Sequence, residues 1–180
     1  MKKILVVIDT NVLVSAAYNL RNYDTEEASK RHCNVLLEKP AAGEIIPVVN
    51  ELIVSEYQRK IAEEKFSFSS TLQEQIINSV LTYALNLDNP REVEERLPDP
   101  SDTIFYKVIT DLCGSYADSY LTTGNLKHFP LQARNLNIVV NPKTLLMILD
   151  DYKNINTCLD RINYLNQNGW QMITENIACL

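Results

Sequence analysis

The apolar positions of this chain switch between short continuous runs and a helical period. Residues 4–8, ILVVI, are uninterrupted and rich in β-branched side chains, the pattern of a strand buried on both faces. Asp9 ends that run, and from Thr10 the spacing predicts a helix. A second helix is predicted over 25–38, TEEASKRHCNVLLE, with an apolar face of Ala28, Val35 and Leu36. EIIPVV (44–49) predicts a short strand, with Pro47 ending it early or placing it near an edge. The helical period returns over 50–64 and over 70–87, where Leu72, Ile76, Val80, Leu81 and Leu85 form a stripe. VEERL predicts a brief strand before the turn-rich LPDPSD. A helix then runs from about 103 to 113, with Ile104, Phe105, Val108, Ile109 and Leu112 on one side. SYLTT and NIVV predict two more strands, and NPKTLLMILDDY a helix opened by Pro142. Residues 154–180 carry a helical pattern to Asn168, a stop at Gly169 and a last apolar segment.

Strands and helices alternate without a repeat, a low-complexity segment or a linker. That order predicts one α/β domain over 1–150 with a mostly parallel sheet, and a helical extension over 151–180 packed on it. The extension's apolar positions (Ile162, Leu165, Trp170, Met172, Ile173, Ile177) also suit a dimer interface or a partner's surface. In parallel sheets ligands gather beyond the carboxyl ends of the strands, which is where Asp9 stands.

Composition narrows the class. At 46% hydrophobic and 22% charged, 180 residues have the make-up of an ordinary globular protein. A net charge of -6 disfavours a protein that coats nucleic acid, while leaving room for an enzyme that meets it through a local patch. Four glycines are too few for a phosphate-cradling loop to be expected. The cysteines (Cys33, Cys113, Cys158, Cys179) form no CxxC pair and there are two histidines, so a zinc ribbon or finger is not expected and reduced thiols are. Asp9 interrupts the only apolar run behind Lys2 and Lys3, and no later run is long enough to span a membrane; a cytoplasmic location is expected.

The polar residues at the predicted junctions carry the chemistry. Asp9 follows the first strand, Glu56 lies in the helix after the second, Asp102 opens the IFYKVI helix, Asp118 precedes SYLTTGN, and Asn125 closes that strand. Singly, each has an ordinary explanation. Asp9 and Asp102 suit helix caps, Glu56 a solvated face, and Asp118 and Asn125 loop and turn positions. As a set they differ, because groups after successive parallel strands converge on one edge. Clustered carboxylates repel one another and take up protons unless a cation neutralises them. Oxygen ligands without a histidine or thiolate suit Mg²⁺ or Mn²⁺, which can activate water and stabilise charge on a phosphodiester.

VVIDTNVLVSA, SEYQRK, PDPSDTIFYKV and SYLTTGNLKHFP resemble, in that order, the motif blocks of the PIN-domain family over about residues 3–148. Within the family these motifs look most like the toxin components of toxin–antitoxin systems, related to VapC toxins. The resemblance implies a three-layer α/β/α fold with about five parallel strands and metal-dependent endoribonuclease activity. It implies a protein antitoxin as partner, RNA as substrate, and three acidic ligands at Asp9, Glu56 and Asp102. Asp99 rivals Asp102 for the third place. The family's fourth position, usually Asp, maps onto Asn125, which brings no charge; Asp118 is the nearest residue to supply it. Under this reading Thr123 orients Asn125, Asn11 braces Asp9, and Lys127 and His128 are candidates to meet a phosphate. Arg59, Lys60 and Lys65 form either a substrate-facing patch or the wet face of a helix.

Two enzyme classes fit poorly. A haloacid-dehalogenase-type phosphotransferase requires a second aspartate where this chain has Asn11, and a dinucleotide-binding enzyme requires a glycine-rich turn in place of Asp-Thr-Asn-Val. A stronger rival is a PIN-like binding module with weak or no catalysis, motivated by the missing charge at Asn125.

Overall fold

Five residues without a polar side chain make the central strand, β1 (Ile4–Ile8), and all five are buried. The structure is a computed structural model, and it describes residues 4–21, 31–90, 96–114 and 118–154. The chain divides into two compact units, Met1–Leu145 and Leu146–Leu180. The first holds the sheet. The packing expected of the tail lies outside the described residues, as do most of the VEERL strand and the first half of the 25–38 helix.

In chain order the strands after β1 are β2 (Ile45–Val49), β3 (Leu85–Asn86), β4 (Ser119–Thr122) and β5 (Val139–Val140). They form one all-parallel sheet in the order β3-β2-β1-β4-β5. The helices among the described residues are α1 (Thr10–Arg21), α2 (Arg31–Glu38), α3 (Glu51–Ile61), α4 (Ser70–Leu81), α5 (Thr103–Cys113), α6 (Leu131–Asn135) and α7 (Pro142–Asn154). The result is the expected three-layer α/β/α architecture. Parallel neighbours need crossover connections, and the helices supply them. The chain leaves β1 for β2 on one side, and β4 later pairs on the other. The order therefore reverses between β1 and β4, and a crevice lined by Asn11, Gly124 and Asn141 among others opens at the carboxyl edge.

Four differences from the sequence expectations have local causes. The 70–87 helix ends at Leu81, and Leu85 leaves the stripe to pair with Val48 in the two-residue β3. In α2 the buried residues are Cys33, Leu36 and Leu37, while Val35 is exposed. Pro47 lies in an internal strand. The carbonyl of Val49 accepts from Leu87 N–H (2.8 Å), so Val49 and, two residues back, Pro47 turn their backbone groups toward β3. β3 begins only opposite Val48, so the proline costs no ladder bond and its setting is edge-like. Finally, α6 and the 3-10 turns at Pro100–Asp102 and Leu126–His128 are too short for periodicity to reveal.

Two helices position the acidic candidates Glu56 and Asp102. In α3, Ile53, Tyr57 and Ile61 are fully buried at four-residue spacing, which leaves Glu56 at the margin of the buried stripe. Asn50 caps this helix by accepting from Ile53 N–H (2.9 Å). In α5, Phe105, Val108, Ile109 and Leu112 are buried, fixing the helix that Asp102 immediately precedes.

Candidate metal centre

Asp9 is 3% exposed, at the point where β1 becomes α1. Its Oδ1 accepts the Asn11 N–H (3.2 Å), an N-cap bond in the first turn of α1. Its Oδ2 accepts from the Thr123 hydroxyl (2.7 Å) and from Asn11 Nδ2. Asn11 also donates to Thr123 Oγ1 (3.0 Å) and accepts the Gly124 N–H through Oδ1 (2.7 Å). Thr123 Oγ1 in turn accepts the Asn125 N–H (2.9 Å). The Asp-Thr-Asn turn after β1 and the Thr-Gly-Asn turn after β4 are thus stitched together through Asp9. A Cβ on Gly124 would stand 3.1 Å from Asn11 Oδ1, so the close approach of the two turns favours glycine there. Each carboxylate oxygen has two lone pairs; Oδ2 uses both in these bonds, and Oδ1 keeps one.

Asp102 is 6% exposed and is the last residue of the 3-10 turn Pro100–Asp102. It stands at the start of α5 yet caps nothing. Its Oδ2 lies 2.8 Å from His128 Nδ1 instead. The capping expected of Asp102 is performed for the turn by Asp99, whose Oδ1 accepts from Ser101 N–H (3.0 Å) and Ser101 Oγ (2.7 Å). The imidazole is held by its own turn. His128 N–H bonds Asn125 O (3.0 Å), and the next residue, the buried Phe129, meets Tyr106 of α5 at 6.2 Å between rings. Tyr106 is one helical turn beyond Asp102, so the Asp102–His128 and Tyr106–Phe129 contacts dock the 3-10 turn on the start of α5 at two points.

Electrostatics tie the carboxylates together. Burial pushes the Asp9 carboxyl up to about 6; hydrogen bonds from Thr123 and Asn11 oppose the rise, and the charge of Asp102 adds to it. Burial also raises Asp102, against the hydrogen bond from His128, with the charges of Asp99 and Glu56 pushing the same way as burial. Beneath Asp9, the fully buried Tyr57 donates its hydroxyl to Ile8 O, and burial and then the Asp9 charge hold that phenol well above its ordinary range.

Glu56 is engaged by Arg59, whose Nη2 lies 3.0 Å from Oε1 and 2.8 Å from Oε2, with Nε 3.1 Å from Oε2. This fork and the Tyr57 hydroxyl were not expected from the sequence. The i,i+3 spacing of Glu56 and Arg59 is the signal that foretells the first. Lys60 and Lys65 both pair with Glu63, and Arg59 reaches it too, so the basic residues of this stretch are bonded among neighbouring acids.

Of the remaining candidates, Asn125 and Lys127 are exposed beside the crevice. Asp118 is a correction. Its carbonyl accepts from Leu5 N–H (3.0 Å) and it precedes Ser119, the partner of Leu5, so it lies at the amino end of the sheet. Asp9 follows Ile8, the partner of Thr122, and so stands level with Thr123, five residues beyond Asp118 and about 17 Å away at the rise of a strand. Asp118 therefore cannot supply the charge missing at Asn125.

The buried pair Asp9 and Asp102, with Glu56 at its margin, has the donor chemistry of a divalent-cation site: hard oxygens, mutual repulsion and a spare lone pair on Asp9. Asp99, Asp102 and His128 also each bring one ligand atom within 4.8 Å of the others. Among the described residues, no helix is long and apolar enough to cross a membrane.

A family model described as the PIN domain matches residues 5–112, which is more than half of the chain. The match includes Asp9, Glu56, Asp99 and Asp102 and stops before the Thr123–His128 corner. No curated protein and no solved structure matches the chain.

Proposed function

The chain belongs to the PIN-domain family, whose members are generally metal-dependent nucleases, and on that footing we propose that it is a metal-dependent endoribonuclease hydrolysing RNA phosphodiester bonds. The observation that carries this reading is the pair of buried carboxylates, Asp9 and Asp102, brought from different elements to the reversal point of the sheet with the carboxyl of each raised by burial. Asp9 and Asp102 are the principal ligands of Mg²⁺ or Mn²⁺. Glu56 is a third ligand or positions the attacking water, after releasing Arg59, and Asn125 takes the fourth position. A cation bound there supplies an activated water and stabilises charge on the scissile phosphate. Asn11 and Thr123 hold Asp9, and the exposed Lys127 would meet a phosphate of the bound RNA.

The finer role is that of a cytoplasmic, VapC-like toxin restrained by a protein antitoxin. A gene for a small DNA-binding protein immediately upstream, and growth arrest relieved by co-expressing that protein, are the expected signs. The enzymatic reading is tested by incubating structured RNAs with the purified protein and Mn²⁺. Cleavage that EDTA stops and Mn²⁺ restores is expected; intact RNA under all conditions defeats it.

The second reading, a binding module without catalysis, draws on the uncharged Asn125 and on the Arg59 fork that occupies Glu56. It predicts no thermal shift in millimolar Mn²⁺ and no cleavage. A working site predicts stabilisation by mass action.

A further inference from the structure

The sequence pointed to a site made of oxygen ligands alone, but the fold places an imidazole directly on Asp102. His128 Nδ1 is 2.8 Å from Asp102 Oδ2, and the Asp99 carboxylate completes a group whose ligand atoms lie within 4.8 Å of one another. We infer that Asp99, Asp102 and His128 form a mixed nitrogen–oxygen cation position, sharing Asp102 with the proposed hydrolytic site and selecting a divalent transition-metal ion such as Mn²⁺, Fe²⁺ or Co²⁺ over Mg²⁺. The inference rests on the reading of Asp102 as a ligand and deepens it.

Three observations carry it. The first is spacing. Two adjacent ligands at about 2.1 Å from an octahedral ion lie about 3.0 Å apart and opposite ones about 4.2 Å. The Nδ1–Oδ2 separation is close to the first figure, and the limit of 4.8 Å lies about half an ångström beyond the second; without an ion a proton on Nδ1 bridges this pair, and a bound cation would replace it, releasing that proton to solvent. The second is orientation. A carboxylate at a helix start ordinarily accepts first-turn N–H groups, whereas Asp102 accepts none and is turned to the imidazole. Asp99 Oδ1 is spent on Ser101, which leaves its other oxygen for an ion. The third is rigidity. The Phe129–Tyr106 contact pins the His128 turn to the helix that Asp102 precedes, and Asp99 is held by its bonds to Ser101. Imidazole favours later first-row ions, while Mg²⁺ prefers oxygen and water, so the choice of metal follows from His128.

The test uses the full chain stripped of metal, with Mn²⁺ and Mg²⁺ alone as probes. Calorimetric titration of wild type, H128Q and D99N measures both affinities, and pulsed electron paramagnetic resonance of the Mn²⁺-loaded protein reports nitrogen bound to the ion. Wild type is expected to bind Mn²⁺ more tightly than Mg²⁺ and to show imidazole nitrogen modulation. H128Q should lose that modulation and about tenfold or more in Mn²⁺ affinity, while its Mg²⁺ affinity moves less than about twofold. Melting of metal-free H128Q identifies a variant that fails to fold; in that case the wild-type nitrogen signal alone decides. Mn²⁺ bound without nitrogen modulation overturns the inference, as does equal affinity for the two ions. D9N separates this from the proposed function. RNA cleavage that D9N abolishes, in a protein with no nitrogen signal, refutes the mixed site alone. A nitrogen signal without any cleavage refutes the ribonuclease alone.

Discussion

If Asp9 is a buried carboxylate waiting for a cation, it should burden the metal-free protein in a measurable way. Its carboxyl is raised from the ordinary 3.8 to about 6, chiefly by burial, and at about 1.4 kcal/mol per pH unit that rise amounts to about 3 kcal/mol. The sign follows from proton counting. Between these two values the folded protein keeps a proton that the unfolded chain has released, so stability falls as pH rises through the window and levels off above it. Asp9→Asn removes the titration. The amide also gives up an acceptor, since both Asp9 oxygens receive hydrogen bonds, at about 1 kcal/mol at any pH. In EDTA the variant should therefore be less stable than wild type by about 1 kcal/mol near pH 4 and more stable by about 2 kcal/mol near pH 7.5. The swing between the two, about 3 kcal/mol, does not depend on what the amide itself costs. Urea unfolding of both proteins across the pH range measures it. Parallel pH profiles for wild type and D9N would show that Asp9 carries no such burden, and the reasoning from burial to cation would fail.

Two further predictions test the supports of the site. Thr123→Ala removes the hydroxyl that donates to Asp9 and accepts from Asn11 and Asn125, so unfolding free energy should drop by about 1–3 kcal/mol and Mn²⁺ affinity should weaken with it. An unchanged Mn²⁺ affinity would mean that the brace does not orient Asp9. Arg59→Met frees both oxygens of Glu56, so Mn²⁺ should bind more tightly if Glu56 joins the ion; an affinity equal to wild type would remove Glu56 from the ligand set.

The parts of the fold legible in the sequence are those whose side chains repeat. β1 is apolar throughout because both its faces are covered, and α3 and α5 bury residues at helical spacing, so each declares itself over a few residues. β3 does not, because two exposed residues join the sheet only through the end of β2, a pairing that no local pattern encodes. The same division runs through the site. Asp9 and Asp102 are visible as carboxylates at element junctions, and Thr123 and Asn11 as polar residues beside them. Their partners are set by contacts between residues 26 and 114 positions apart, so the His128–Asp102 and Thr123–Asp9 bonds need the folded chain. Asp118 shows what sequence order alone can still decide: a residue ahead of a parallel strand lies at the sheet's amino edge, away from groups that follow their strands.

The account stands on Asp9 and Asp102 jointly holding a divalent cation. Calorimetric titration of metal-free protein with Mn²⁺ near pH 7.5, for wild type, Asp9→Asn and Asp102→Asn, addresses that claim most directly. Wild type should bind, and each single substitution should weaken binding by about tenfold or more while the metal-free variants still unfold cooperatively. Wild-type affinity in both folded variants would contradict the claim.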